Sequence, residues 1–187
     1  MGKALPERYG QDIPIRMEVL TAKNKKYTES FLCNNPSIDH YFHKMAHLDE
    51  ASVTYLFIDK EKDLLIACLT LSCSAIFTAS EEAVQSTLFS AIEIQFFAVD
   101  ERYQHLPYQK GAKLSLSHYL FEFVIDYIGE ISHKYVGAAK IVLYSVPEAI
   151  KFYRRCKFKE FGEHMYGDKG TFLDGCTPMY FDLNRTI

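Results

Sequence analysis

The chain has 187 residues, 48% hydrophobic and 24% charged, with a formal net charge of −3 and an isoelectric point near 6.2. That length suffices for one domain with a substantial core, and the composition is far from that of a disordered protein. The charge balance gives no global electrostatic reason to bind nucleic acid or anionic lipid, so any basic surface would have to be local.

The expected organisation is a single domain over 1–187 with an N-terminal arm over 1–14, punctuated by Pro6, Gly10 and Pro14. Ile15–Leu20 alternates apolar and polar residues and predicts a first strand. Tyr27–Leu32 reads as a helical stretch. Asn35 followed by Pro36 reads as an N-cap and first helical position, and Ile38, Phe42, Met45 and Leu48 then recur at helical spacing as one buried side. Val53–Ile58 and Leu64–Cys73 are strand-like, and the charged run Asp59-Lys60-Glu61-Lys62-Asp63 between them predicts a hairpin. Thr78–Ser86 is polar, either a loop or a short helix capped by Ser80. Ile92–Val99 is apolar almost throughout, as a central strand would be.

The longest helical pattern steps through Leu116, Leu120, Phe123, Tyr127 and Ile131, with Gly137 as its C-terminal cap. Lys140–Tyr144 predicts a short buried strand. Ser145, Pro147 and Glu148 read as a capping box opening a helix that runs through Phe152-Tyr153 and stops before Phe158. A strand near Lys159–His164, a loop at Gly167–Gly175 and a strand at Met179–Leu183 complete a mixed α/β layer structure.

Five cysteines are scattered without a CxxC pair, which predicts buried thiols in a reducing compartment. The first 14 residues carry no secretion-like apolar stretch, and runs such as Leu64–Leu71 are too short to cross a bilayer, so a cytoplasmic protein with no membrane association is expected. His40, His43 and His47 have a spacing that suits a metal, but they lie on a face offset from Ile38, Phe42 and Met45. They read as solvent-facing, and no metal site is expected.

Three segments in order carry a family resemblance. They are Glu93-Ile94-Gln95-Phe96-Phe97-Ala98-Val99-Asp100, the stretch from Gln104 to Leu114, and Pro147 to Phe158 with Phe152-Tyr153 at its centre. The chain resembles the GNAT superfamily of acyl-CoA N-acyltransferases. The resemblance implies an α+β fold, with a central mixed, mostly antiparallel sheet flanked by helices, and acetyl-CoA as cosubstrate.

In that family the first segment is the strand along which pantetheine lies, so the backbone of Phe97, Ala98 and Val99 is expected to contact the cofactor and hold the oxyanion. The second is similar to the pattern Gln/Arg-x-x-Gly-x-Gly/Ala, whose backbone amides hold the pyrophosphate. Gln104 matches its start, two extra residues fall within Gln104–Tyr108, Gln109 stands where the first glycine is expected, and Gly111-Ala112-Lys113 fit the end. Lys110 and Lys113 are candidates to add positive charge. The third is similar to A-x-x-F-Y-x-x-x-G-F, with Cys156-Lys157-Phe158 in place of x-Gly-Phe.

Tyr153 matches the tyrosine that protonates the departing thiolate, a role that suits a phenol protonated at neutral pH. Glu93 matches the general base of histone-type members. The alternative for Glu93 is an edge carboxylate at the strand's entrance. Cys73 or Cys156 as an acetyl carrier lacks a His/Asp partner at any supporting spacing.

Phe31-Leu32-Cys33-Asn34-Asn35-Pro36-Ser37-Ile38-Asp39-His40-Tyr41-Phe42 resembles the F-x-C-G-x-x-x-L-D-x-(F/W)-L segment of GNAT toxins that acetylate aminoacyl-tRNA, and Thr177-Pro178-Met179-Tyr180 resembles their last strand. Transfer of acetyl to the primary amine of an unidentified acceptor is the expected reaction. A tRNA acceptor is the first alternative, against which the net negative charge weighs. A non-catalytic CoA-binding module is the second. Relatives often pair, so the resemblance also points to a homodimer.

Overall fold

The computed structural model describes residues 3–4, 13–78, 87–161 and 175–183. The chain divides into two compact units, Met1–Leu71 with Phe96–Phe123, and Ser72–Gln95 with Val124–Ile187.

In the first unit the strand order is β1 (Lys3–Ala4), β2 (Ile15–Val19), β3 (Val53–Asp59), then the N-terminal part of β4 (Leu64–Thr78) and the C-terminal part of β5 (Thr87–Val99). The β1–β2, β2–β3 and β3–β4 pairs are antiparallel. Two residues of the expected arm, Lys3 and Ala4, are therefore strand, because the exposed edge of β2 offers them backbone partners. The 59–63 hairpin forms as expected: an Asp59 carboxylate oxygen accepts from the Glu61 and Lys62 amides, and Asp63 takes φ +52. One face buries Phe31, Phe42, Leu56, Ile58 and Cys68. On the other, Phe57 and Phe97 meet Phe123 and Phe121 of α2 (Leu116–Ile131) at ring-centroid distances of 6.1 and 4.9 Å.

The helix expected over Tyr27–Leu32 is only a 3-10 turn, Lys25–Tyr27. Thr28 returns both its amide and its hydroxyl to the Lys25 carbonyl, and the chain then straightens to bury Phe31 completely. Asn35 caps α1 (Pro36–His40), accepting from the Ser37 and Ile38 amides at 3.1 and 3.3 Å. The expected buried stripe fails past Phe42, for Met45 is 53% and Leu48 70% exposed. The helix continues as a π-turn, Tyr41–Met45, in which the Ala46 amide reaches back five residues to Tyr41. That insertion rotates every later side chain, and Ala46 takes the inward position periodicity gave to Met45. His43 also turns inward, 2.6 Å from the Phe31 carbonyl, rather than facing solvent.

In the second unit the order is β4, β5, β6 (Lys140–Ser145), β8 (Thr177–Asp182), β7 (Lys159–Glu160). β5 and β6 run parallel, while β6–β8 and β7–β8 are antiparallel. Both β4 and β5 are longer than expected, since Ser74–Thr78 and Thr87–Ala91 extend them. Gly137 closes the helix in the left-handed conformation, φ +66, after a π-turn over Ser132–Val136.

Ser145 is no helix cap. It stays in register with Thr177, its hydroxyl donates to the Val146 carbonyl, and the helix opens through a 3-10 turn at Pro147–Ala149 before α3 (Ile150–Arg155). The 79–86 and 167–174 segments of the expected loops, and the strand expected beyond Phe161, lie outside the described residues. The observed class is the expected one, a mixed sheet with helices, α+β.

Candidate active site

The β5–β6 ladder begins at Ala91↔Lys140 and ends at Ile94↔Leu143. β5 nevertheless continues to Val99, and β6 continues to Ser145, where its other edge still pairs with β8 through Tyr144↔Pro178 and Ser145↔Thr177. Beyond Ile94↔Leu143 no pairing joins the two strands.

Glu93 lies just before that point, opposite Val142. It is a mid-strand residue, the seventh of the 13 in β5, so its expected alternative as a carboxylate at the strand's entrance is overturned by the longer strand. Burial pushes its carboxyl above the usual carboxylate range, and a hydrogen bond with the Ser74 side chain partly offsets the shift. The Tyr144 phenol is pushed up by burial and by the nearby Glu93 charge. Neither Ser74 nor Tyr144 stood out in the sequence, because their proximity to Glu93 depends on cross-strand register.

Tyr153 is the third residue from the end of its helix, 8% exposed. Its phenol is pushed well above its ordinary value, first by burial and then by Cys156. The helix stop fixes it. The Lys157 amide donates to the Arg154 carbonyl and the Phe158 amide to the Tyr153 carbonyl, each at 3.0 Å, which is a Schellman motif. Its accompanying apolar contact is Phe158 against Tyr153, ring centroids 5.9 Å apart. Lys157, where the family has glycine, adopts φ +68. Asn34, at the glycine position of the N-terminal segment, does the same, also at φ +68. Both departures keep the backbone that glycine would favour, at a cost of about 1 kcal/mol for the lysine and less for asparagine.

The stretch after β5 is tied down at its start. Asp100 is fully buried and takes a two-pronged bond from Arg102 at 2.6 and 2.9 Å, along with the Arg102 and Leu32 amides. The Gln104 side-chain amide donates to the Val99 and Cys33 carbonyls at 2.9 and 3.2 Å, so its donors are spent within the protein. Ala98 and Val99 are buried.

Next comes a narrow loop, pinned by the Leu116 amide on the Leu106 carbonyl, a Pro107↔Ser115 bridge and the Tyr108 amide on the Leu114 carbonyl. Its tip holds Gln109, Lys110, Gly111, Ala112 and Lys113, with Ala112 donating to the Gln109 carbonyl. Gly111 has φ +78 and open space around the position of a Cβ. α2 starts only at Leu116, with the Ser115 hydroxyl accepting from His118 and no acidic residue in its first turn. Thus Gly111–Lys113 form a loop tip ahead of α2. The two extra residues lengthen the loop until its arms pair with each other.

Among the described residues no cluster of three or more His, Cys, Asp or Glu could hold a metal, and no helix is long and apolar enough to cross a membrane. No protein-family model matches the chain, and no curated protein matches its sequence. Solved structures do match. A bacterial toxin superposes with a TM-score of 0.71 at 16% identity, over 91% of this chain and 92% of its own. A tyrosine-to-phenylalanine mutant of KacT gives 0.68 at 13% identity, over 90% and 95%. AtaT complexed with acetyl-methionyl-tRNAfMet gives 0.67 at 14% identity, over 90% and 94%. At such identities the likeness is one of fold, and this chain shares its fold with those proteins.

Proposed function

We propose that the chain is an acetyl-CoA-dependent N-acetyltransferase acting on a primary amine by direct attack. The observation that carries this reading is the end of the β5–β6 ladder at Ile94↔Leu143, directly beyond a half-buried carboxyl. Backbone groups past that point are positioned to meet the amides of pantetheine, so acetyl-CoA lies along Phe97, Ala98 and Val99. The amides of the Gln109–Lys113 tip, with Lys110 and Lys113, take the pyrophosphate. Gln104 contributes by holding Val99 and Cys33. AtaTR bound with acetyl-CoA is among the similar structures.

Glu93, directly or through a water, removes a proton from the acceptor ammonium. The nitrogen then attacks the thioester carbonyl, the C–S bond breaks, and Tyr153 protonates the departing thiolate. A buried phenol stays protonated until the thiolate appears, which suits that step. The five cysteines are free thiols, in keeping with a reducing, cytoplasmic setting.

A second reading, an aminoacyl-tRNA acceptor, is favoured by one observation. Lys151, Arg154, Arg155, Lys157 and Lys159 are all exposed on α3 and the residues after it. Arg154 pairs with Glu160 and Lys159 with Asp182, but Lys151, Arg155 and Lys157 have no ion-pair partner among the described residues. This local basic strip is what the net charge of −3 concealed.

A thiol-release screen of acetyl-CoA against amino acids, polyamines, peptides and aminoacyl-tRNA tests both readings. Release with any amine supports the transferase. Calorimetric binding of acetyl-CoA and desulfo-CoA without release would indicate a non-catalytic module.

A further inference from the structure

We propose that Tyr144 is the positioning residue for Glu93, its ring closing the β6 side of the carboxyl's surroundings and its hydroxyl facing the acceptor ammonium. The proposal rests on the reading of Glu93 as general base.

The register sets the geometry. Glu93 is opposite Val142, and Tyr144 is two residues further along β6, so it projects from the same face on the diagonal. Ala91 and Val142, two residues before Glu93 and Tyr144 respectively, pack together with Ile76, which fixes the face all four share. Tyr144 also stands just past Leu143, where β6 has parted from β5, so its ring occupies the flank that the ladder no longer covers.

From the described side chains of β4, Ser74 meets the carboxyl. From β6, Lys140 shares the face, but its ammonium is ion-paired with Asp182 on β8 and lies over the Phe89 and Tyr180 rings, 5.2 and 5.0 Å from their centroids. Lys159, next to β8, is bound to the same Asp182 at 3.0 Å. Among the described residues Glu93 therefore has neutral company only: one serine and one phenol. No hydrogen bond joins Tyr144 to Glu93, which leaves the carboxylate and the phenol oxygen able to receive one ammonium between them. A carboxylate beside a phenol favours a cation, and an aromatic wall favours it further.

The test needs no acceptor. The whole chain carrying 13C-labelled glutamate carboxyls is titrated by NMR, the Glu93 signal being assigned by its loss in Glu93→Gln. In Tyr144→Ala the Glu93 midpoint shifts down toward an ordinary carboxylate, whereas in Tyr144→Phe, which keeps the ring, it stays near wild type. Tyr144→Thr, small and strand-favouring, carries the expectation of the alanine variant should that one fail to fold. An unmoved midpoint in the small-residue variant overturns the proposal. If the midpoint moves but no amine releases thiol from acetyl-CoA, the coupling stands and the transferase reading falls. With an amine found by the screen, Tyr144→Phe raises KM more than it lowers kcat; equal losses in both would remove the hydroxyl from ammonium binding.

Discussion

Two carboxylates at opposite ends of the same stretch of chain, Asp100 and Glu93, are treated in contrary ways. Asp100 is fully buried yet receives a guanidinium through two bonds and two backbone amides. Glu93 is half-buried and receives a single serine hydroxyl, with burial pushing its carboxyl up. The first arrangement fills the carboxylate's acceptor sites and locks the turn after β5. The second leaves a carboxyl whose ionised form is poorly supported and which takes up a proton readily. A structural carboxylate is thus one with its acceptor capacity filled, and a working one is left short of partners.

If that division holds, residues of one kind should move rate and those of the other stability. The largest expected effect is on rate: Tyr153→Phe should lower turnover by about 100-fold or more while calorimetry finds acetyl-CoA affinity within about twofold of wild type. A wild-type rate would remove Tyr153 from the chemistry. Asp100→Asn comes next. It leaves Arg102 and two amides facing a neutral group, and urea denaturation should show a loss of about 2–4 kcal/mol, since Arg102 is partly exposed. Lys157→Gly relieves the left-handed strain after α3 and should stabilise by about 1 kcal/mol with turnover unchanged.

The smallest effect has a diagnostic sign. A carboxyl whose folded pKa is raised binds its proton more tightly folded than unfolded, so stability falls as pH rises through the folded value. Glu93→Gln should therefore raise the melting temperature slightly at neutral pH, with the gain gone near pH 4. A functional residue kept at some expense of stability behaves in this way.

Much of the fold was legible because its signals are local. The charged hairpin at 59–63, the Asn35 cap and the Gly137 stop each depend on a few adjacent residues, and all appear as read. What was illegible depends on distant partners or on a single backbone insertion. The π-turn at Tyr41–Met45 shifts Met45 outward without any mark in the apolar periodicity. Ser145 has every attribute of a cap, but the pairing with Thr177 holds it in the strand. At the candidate site, Glu93 drew notice as a charge in an apolar run. Ser74 and Tyr144 did not, for ordinary strand residues gain their meaning only through register. Nothing near Asp100 in sequence reveals that Leu32 will donate to it.

The most direct measurement is the pH dependence of kcat/KM for thiol release by the wild-type chain and by Glu93→Gln. A base must be ionised to act, so wild-type activity should rise with pH through a carboxyl midpoint lying above the usual range, and that limb should be missing from the variant. Superimposable profiles from the two proteins would contradict a proton-accepting Glu93, and with it the distinction between the carboxylate that is satisfied and the one that is not.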